Sequence, residues 1–305
     1  MTDFVDDRSL PGLKHLTVQS RIRVTVLAEH GDLTAMSAVC LVIPCFNERN
    51  RLPQRQVLDA VQRRAGLSIC FVDDGSTDGT IELLTALRAA APAHIDVIRL
   101  EKNSGKAEAV RQGILHVTQS KEFDFVGYWD ADLATPLDDL TDLTSALTAN
   151  ADCLLAMGAR VRRLGSSIDR YWWRHVTGRV FATFASLILG LPIYDSQCGS
   201  KIFDRDTAAV LFRDPFLTRW LFDVEILARL RAHIGVTGVL QSVVEVPLRR
   251  WVDVGKSKLR VTHLLRVPID LLKIHLHYNG RPSVSRVETE PTAALPEHLP
   301  EAPLR

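Results

Sequence analysis

The strongest constraint on the fold is a series of short apolar runs between Val39 and Trp129, each closed by a polar cluster and separated from the next by a stretch of helix length. Val39-Cys40-Leu41-Val42-Ile43 is continuously apolar, meets Pro44, and gives way to Asn47-Glu48-Arg49-Asn50. Leu67-Ser68-Ile69-Cys70-Phe71-Val72 stops at Asp73-Asp74-Gly75-Ser76-Thr77-Asp78-Gly79. Residues 95–100 precede Asn103-Ser104-Gly105-Lys106, and residues 124–129 run into Asp130-Ala131-Asp132. Helices are read between them over 52–65, 80–91 and 107–117. Strands alternating with helices of about 10–15 residues predict an α/β fold whose central sheet is mostly parallel, with right-handed crossovers and helices on both faces. In such sheets ligands bind at the carboxyl ends of the strands, and every polar cluster just named lies there.

Beyond Asp132 the pattern continues less regularly. A helix is expected from Pro136 to about residue 148, a strand over 153–158, and a helix with a mixed aromatic and apolar surface over 171–189. A loop then enters a strand at Lys201-Ile202-Phe203, followed by a helix over 222–232 and a strand over 243–248. Residues 256–277 are amphipathic, and from Pro282 the chain holds five prolines and four glutamates, a composition expected to be disordered. The organisation expected is a leader of unknown role (1–38, with a strand over 22–27), one domain (39–255), an amphipathic segment that can lie on a membrane surface (256–280), and the Pro/Glu tail (281–305).

The formal net charge of +1 gives no general polyanion-binding surface, and no nucleic-acid partner is expected. Charge is instead local. Residues 160–179 carry six arginines against Asp169, and residues 256–281 carry six lysines or arginines against Asp270. The five cysteines are odd in number and lack a C-x-x-C pair, so they read as reduced thiols in a cytoplasmic protein. The acidic N-terminus is unlike a signal peptide, and no uncharged run reaches the ~20 residues of a membrane span.

The strand ends therefore present Asn47, Glu48, Asp74, Lys106 and two carboxylates one residue apart. Asp130 and Asp132 can hold a hard cation, Mg²⁺ or Mn²⁺, which takes oxygen ligands and shares them with substrate phosphates. Acids suit the donor edge of a nucleobase or ribose hydroxyls, and a lysine with a metal suits a diphosphate. With neither G-x-x-x-x-G-K-[ST] nor G-x-G-x-x-G after a strand, the set describes a nucleoside diphosphate site of another kind.

Pro44-Cys45-Phe46-Asn47-Glu48, Val72-Asp73-Asp74-Gly75-Ser76-Thr77-Asp78-Gly79, Asn103-Ser104-Gly105-Lys106 and Asp130-Ala131-Asp132 resemble, in order, the signatures of family 2 inverting glycosyltransferases of the GT-A fold. Asp195-Ser196-Gln197-Cys198-Gly199-Ser200-Lys201-Ile202-Phe203 and Arg219-Trp220-Leu221-Phe222-Asp223-Val224-Glu225 are similar to its dolichyl-phosphate β-glucosyltransferase branch. The resemblance implies hexose transfer from a nucleotide sugar, UDP-glucose, to a polyprenyl phosphate, with peripheral membrane contact. It places Pro44, Asn47, Glu48, Asp74, Lys106, Asp130 and Ala131 on the donor and the metal on Asp130 and Asp132. Where related mannosyltransferases have a metal-reaching Gln, this chain has Ala134. Asp132, Arg160 and Asp195 are the residues expected to carry the transfer, with Arg160, Arg170, Arg174 and Gln197 near the acceptor phosphate. Asp73 and Asp78 are expected to be turn and cap residues. The alternative acceptor is a saccharide or metabolite hydroxyl, for which Asp195 is the candidate base; a nucleotide-binding module without catalysis is the third reading.

Overall fold

In a computed structural model, residues 37–169, 172–252 and 261–279 are described. The expected strand over 22–27, the proline-rich tail and Arg170 lie outside the described residues. The elements run β1 (Val39–Cys45), α1 (Gln54–Arg63), β2 (Leu67–Asp73), α2 (Thr80–Ala90), β3 (Ile95–Arg99), α3 (Lys106–Thr118) and β4 (Phe125–Trp129). A 3₁₀ turn (Leu137–Asp139) leads into α4 (Leu140–Thr148), then β5 (Leu155–Ala159), β6 (Ser167–Asp169), α5 (Trp172–Leu189), β7 (Ser200–Asp204) and α6 (Arg205–Leu211). The series closes with α7 (Phe222–Ser242), β8 (Val243–Pro247), β9 (Arg250–Val252) and α8 (Val261–Tyr278).

Seven strands form one sheet in the order β3-β2-β1-β4-β7-β5-β8, and β6 pairs with β9 in a separate two-stranded ribbon. The β1–β2, β2–β3, β1–β4 and β5–β8 pairs are parallel, as the strand and helix alternation predicts. The α/β class with a mostly parallel sheet is therefore present. Successive residues of β1 go to opposite faces. Val39, Leu41 and Ile43 join the core under α1, α2 and α4, and Cys40 and Val42 join the core under α3, α6 and α7. Each such side chain is fully buried, worth about 1.5–3 kcal/mol apiece in transfer free energy, so both faces must be covered.

Three features were not legible beforehand. β7 is antiparallel to both β4 and β5, so it enters the middle of the sheet from the opposite end. The helix expected over 222–232 continues to Ser242, and Gly235, at φ 73° and ψ 173°, breaks it into two segments. Glycine reaches that left-handed φ without a Cβ penalty, so the first helical segment stops there and a second carries on to Ser242. Helix α6 and the β6–β9 ribbon were also unanticipated, because three-residue strands carry too little periodicity to detect. All five cysteines are free and buried.

Asp139 closes the 3₁₀ turn in a buried position, and its Oδ2 has no hydrogen-bond partner among the described residues. Burial, with Asp142 adding to it, pushes its carboxyl up to about 6. A folded-state value above the unfolded one means this group favours the native state below about pH 4 and penalises it as pH rises through 6. Asp139→Asn is accordingly expected to raise the melting temperature at pH 8, with the gain gone at pH 4. Equal melting temperatures of the two proteins at pH 8 would contradict this.

Candidate active site

The polar clusters meet at the carboxyl ends of β1, β2 and β4. Asp74, just past β2, accepts the backbone N–H groups of Ser104 at 2.6 Å and Gly105 at 2.9 Å with its two carboxylate oxygens. That contact fixes the start of α3, and Lys106 at its first residue donates to Asp130 Oδ1 at 2.5 Å. On the other side Arg51, in the loop after β1, reaches both Glu48 (3.5 Å) and Asp132 Oδ2 (3.3 Å). Two cations thus link the ends of three crossover units, and Glu48, Asp74, Asp130 and Asp132 share one site.

The electrostatics follow from these pairs. Burial works against the Lys106 ammonium, yet Asp130, with Asp223 beside it, outweighs burial and holds the lysine above its ordinary value. Burial raises the Asp132 carboxyl, and the neighbouring Asp130 charge raises it further, while the Ala134 N–H, donating at 3.1 Å, opposes the shift. Asp130 and Asp132 keep 41% and 25% of their side chains exposed, enough for a ligand to reach both. Two partly open carboxylates, already matched by two positive side chains, fit one hard divalent cation. Among the described residues no third Cys, His, Asp or Glu converges on this pair.

The loop between α5 and β7 forms the second half of the site. Asp195 accepts two hydrogen bonds from the Arg160 guanidinium, at 2.6 and 2.7 Å, and one from the Arg160 backbone N–H at 3.1 Å. Arg160 also stacks at 5.5 Å over Trp251. Glu245 on β8 accepts the N–H groups of Tyr194 (2.8 Å) and Asp195 (2.7 Å), fixing the loop from the far side. Lys201 on β7 is fully buried and donates to Asp223 (2.5 Å), Ser196 O (2.9 Å) and Cys198 O (2.8 Å). Tyr128 donates to the same Asp223 oxygen. Gly199 O accepts the Asp130 N–H at 3.0 Å, joining the two halves.

The other named residues divide by what they touch. Asn47, at φ 53°, accepts from Thr77 N at 3.0 Å with its amide oxygen, so that oxygen is committed to the loop after β2. Asp73 accepts from Ser76 N in the turn after β2, and Asp78 accepts from Thr80 N at the start of α2, where Gly79 is the N-cap. Pro44 is the next-to-last residue of β1, beside Val72 of β2, and Ala131 is buried between the two acids. Gln197 belongs to the clamped loop, with a buried Nε2 that no group among the described residues accepts from. Glu225 ties α7 to its surroundings through Arg229, Leu217 N and Tyr278. The side chains of Arg170 and Arg174 lie outside the described residues.

Arg51, Glu245 and Lys201 escaped the sequence reading. A lysine directly before the apolar pair Ile202-Phe203 of an expected strand was the one available signal, since a charge in a central strand must find a partner.

Residues 40–217 match the glycosyl transferase family 2 model. The chain belongs to this family. It is 30% identical over 252 residues to a dolichyl-phosphate beta-glucosyltransferase of Trichomonas vaginalis, covering 78% of this chain and 71% of that one. The enzyme of the same name from Saccharomyces cerevisiae is 30% identical over 275 residues, 83% of this chain and 78% of its own. Among solved structures, glucosyl-3-phosphoglycerate synthase from Mycobacterium tuberculosis, in complex with Mn²⁺ and UDP-glucose, superposes with a TM-score of 0.56. It does so at 17% identity over 81% of each chain. Mannosyl-3-phosphoglycerate synthase from Rubrobacter xylanophilus gives 0.57 at 18% identity over 86% of this chain and 79% of its own. These likenesses establish the fold as the GT-A type.

The contact between Gly199 and Asp130 yields a direct test. A Cβ at residue 199 would fall 1.8 Å from Asp130 Oδ2, so Gly199→Ala must swing the carboxylate aside. The expected result is a normally folded protein by circular dichroism whose Mn²⁺ affinity, read by EPR titration, drops about 10–100-fold. Unchanged Mn²⁺ binding would remove Asp130 from the metal site.

Proposed function

We propose that this enzyme transfers glucose from UDP-glucose to a polyprenyl phosphate with inversion at the anomeric carbon. The observation that carries the reading is the bidentate Arg160–Asp195 pair beside the two metal-site carboxylates. A hydroxyl acceptor needs a base, and Asp195 would have to give up two charge-assisted hydrogen bonds before accepting a proton. A phosphate monoester, with a second pKa near about 6, arrives already ionised and needs only cations to place it. Arg160 and the arginine-rich segment following it supply such charge, with Gln197 offering an amide donor alongside.

Glu48 and Asp74 lie on the side proposed for the base and ribose, and Lys106 with Arg51 stands where the diphosphate would lie. A Mg²⁺ or Mn²⁺ held by Asp130 and Asp132 would neutralise charge on the leaving diphosphate. The acceptor oxygen bonds to the anomeric carbon as the bond from that carbon to the diphosphate breaks, and UDP departs with the electron pair. Lys106 and Arg51, each already seated on a carboxylate of the site, remain to balance the diphosphate charge.

The acceptor's lipid tail calls for contact with a bilayer, and we place that contact on α5 and α8. Val180, Phe184 and Leu187 on α5, and Ile269, Leu272 and Leu276 on α8, are exposed large apolar side chains at one-face helical spacing. The two helices pack on each other and on α7, with Arg266 and Lys273 on α8 available to anionic headgroups. No described helix is long and apolar enough to cross a membrane. The free, buried cysteines suit the cytoplasmic side.

Two measurements test the reading. With UDP-glucose and a short polyprenyl phosphate, Asp195→Asn is expected to raise the acceptor KM while keeping kcat within about tenfold. A kcat loss in the range of about 10²–10⁴ would instead make Asp195 a general base and favour a hydroxyl acceptor. In vesicle flotation with anionic lipid, Phe184→Asp combined with Leu272→Asp is expected to release the protein from the bilayer. Undiminished flotation would move the membrane contact elsewhere.

A further inference from the structure

A second group of metal-type ligands lies away from the catalytic end. Cys70 on β2, Asp96 on β3 and His116 on α3 bring one sulfur, one carboxylate oxygen and one imidazole nitrogen within 4.8 Å of one another. The backbone builds this arrangement. Cys70 and Asp96 are register partners on adjacent parallel strands, so their side chains leave the same face of the sheet. Helix α3 covers that face, packing on β1 and β2, and sets His116 over the pair. Asp96 Oδ1 accepts the Val97 N–H at 2.8 Å, which turns Oδ2 toward His116 Nε2, also at 2.8 Å. His116 is ten residues beyond Lys106, about 15 Å further along the same helix, so this group is separate from the donor site.

Burial and donor chemistry give the group its character. Cys70 is fully buried, whereas Asp96 and His116 are about half exposed, so an ion could enter from solvent and meet sulfur on the inner side. Cys40, on the next strand over, adds a second thiol to the surroundings. Bond lengths of about 2.3 Å to sulfur and about 2.0–2.2 Å to nitrogen or oxygen allow three donors at this separation to close on one ion with small side-chain shifts. A mixed sulfur, nitrogen and oxygen set selects a borderline-soft cation over the hard cations that suit Asp130 and Asp132.

We propose that Cys70, Asp96 and His116 form a second divalent metal site of the Zn²⁺ class, which fastens the edge strand β3 to α3. Binding replaces the thiol proton of Cys70, which is released to solvent, and leaves a fourth position for water. Without the ion this thiol stays protonated, because burial, with Asp96 adding to it, pushes it up to about 12. The site owes nothing to the reading of the transferase reaction.

Co²⁺, which shares the coordination preferences of Zn²⁺ and absorbs visibly, is the probe, added to the reduced full chain. The expected result is a thiolate-to-cobalt charge-transfer band that saturates at one equivalent and is abolished by competing Zn²⁺. The band should persist in the Asp130→Asn/Asp132→Asn variant, vanish in Cys70→Ser, and need at least tenfold more Co²⁺ in His116→Ala and Asp96→Asn. His116 and Asp96 are partly exposed, so these two variants report even if the buried Cys70→Ser protein folds poorly. Absence of the band in the unsubstituted protein, its survival in Cys70→Ser, its loss in the Asp130/Asp132 variant, or unchanged affinity in His116→Ala would each overturn the site.

Discussion

The arrangement of the catalytic end depends on a buried ammonium. Lys201 sits on a central strand with no exposed surface, where an unpaired charge would cost several kcal/mol. It is tolerated because Asp223 supplies the counter-charge and two carbonyls of the 196–198 segment accept the remaining protons. Satisfying that lysine forces the loop to curl back over β7. The curl brings Gly199 against Asp130 and sets Asp195 beside Arg160. One desolvated cation thereby ties the Asp130–Asp132 half of the site to the Arg160–Asp195 half, with Tyr128 donating into the same carboxylate from β4.

A second constraint is the matching of charge at the rim. Asp130 and Asp132 would repel each other if left bare, and each is instead paired with a cation carried by a different crossover unit. The same pairing prepares the site for a ligand of matching composition. In the proposed reaction a divalent ion would answer the carboxylates and a diphosphate would answer Lys106 and Arg51, so that the two arriving together would exchange partners without leaving a charge unbalanced. Asp74 contributes by fixing the loop that carries Lys106, its carboxylate accepting the backbone N–H groups of Ser104 and Gly105.

Much of this was legible in the chain. The apolar runs ending at Ile43, Val72 and Trp129 are strands because parallel strands covered on both faces read as unbroken hydrophobic segments. Glu48, Asp74, Lys106, Asp130 and Asp132 could be assigned to one rim because the right-handed crossover sends every strand's carboxyl end the same way. Arg51 and Glu245 were not legible. Arg51 follows Glu48 in a loop where an arginine is unremarkable, and Glu245 lies in an alternating strand where an outward-facing acid is ordinary. Their roles come from what lies across from them.

The sequence by itself determined the fold class, the succession of the first four strands along the chain, and which acids collect at their ends, since hydrophobic period and chain connectivity are local properties. Only the tertiary structure decided that β7 runs antiparallel between β4 and β5, that Asp195 is bound to Arg160, and that Cys70, Asp96 and His116 meet under α3. These are pairings between residues far apart in the chain. Their partners are chosen by register and by the need to satisfy buried charge, and no local pattern of residues records that choice.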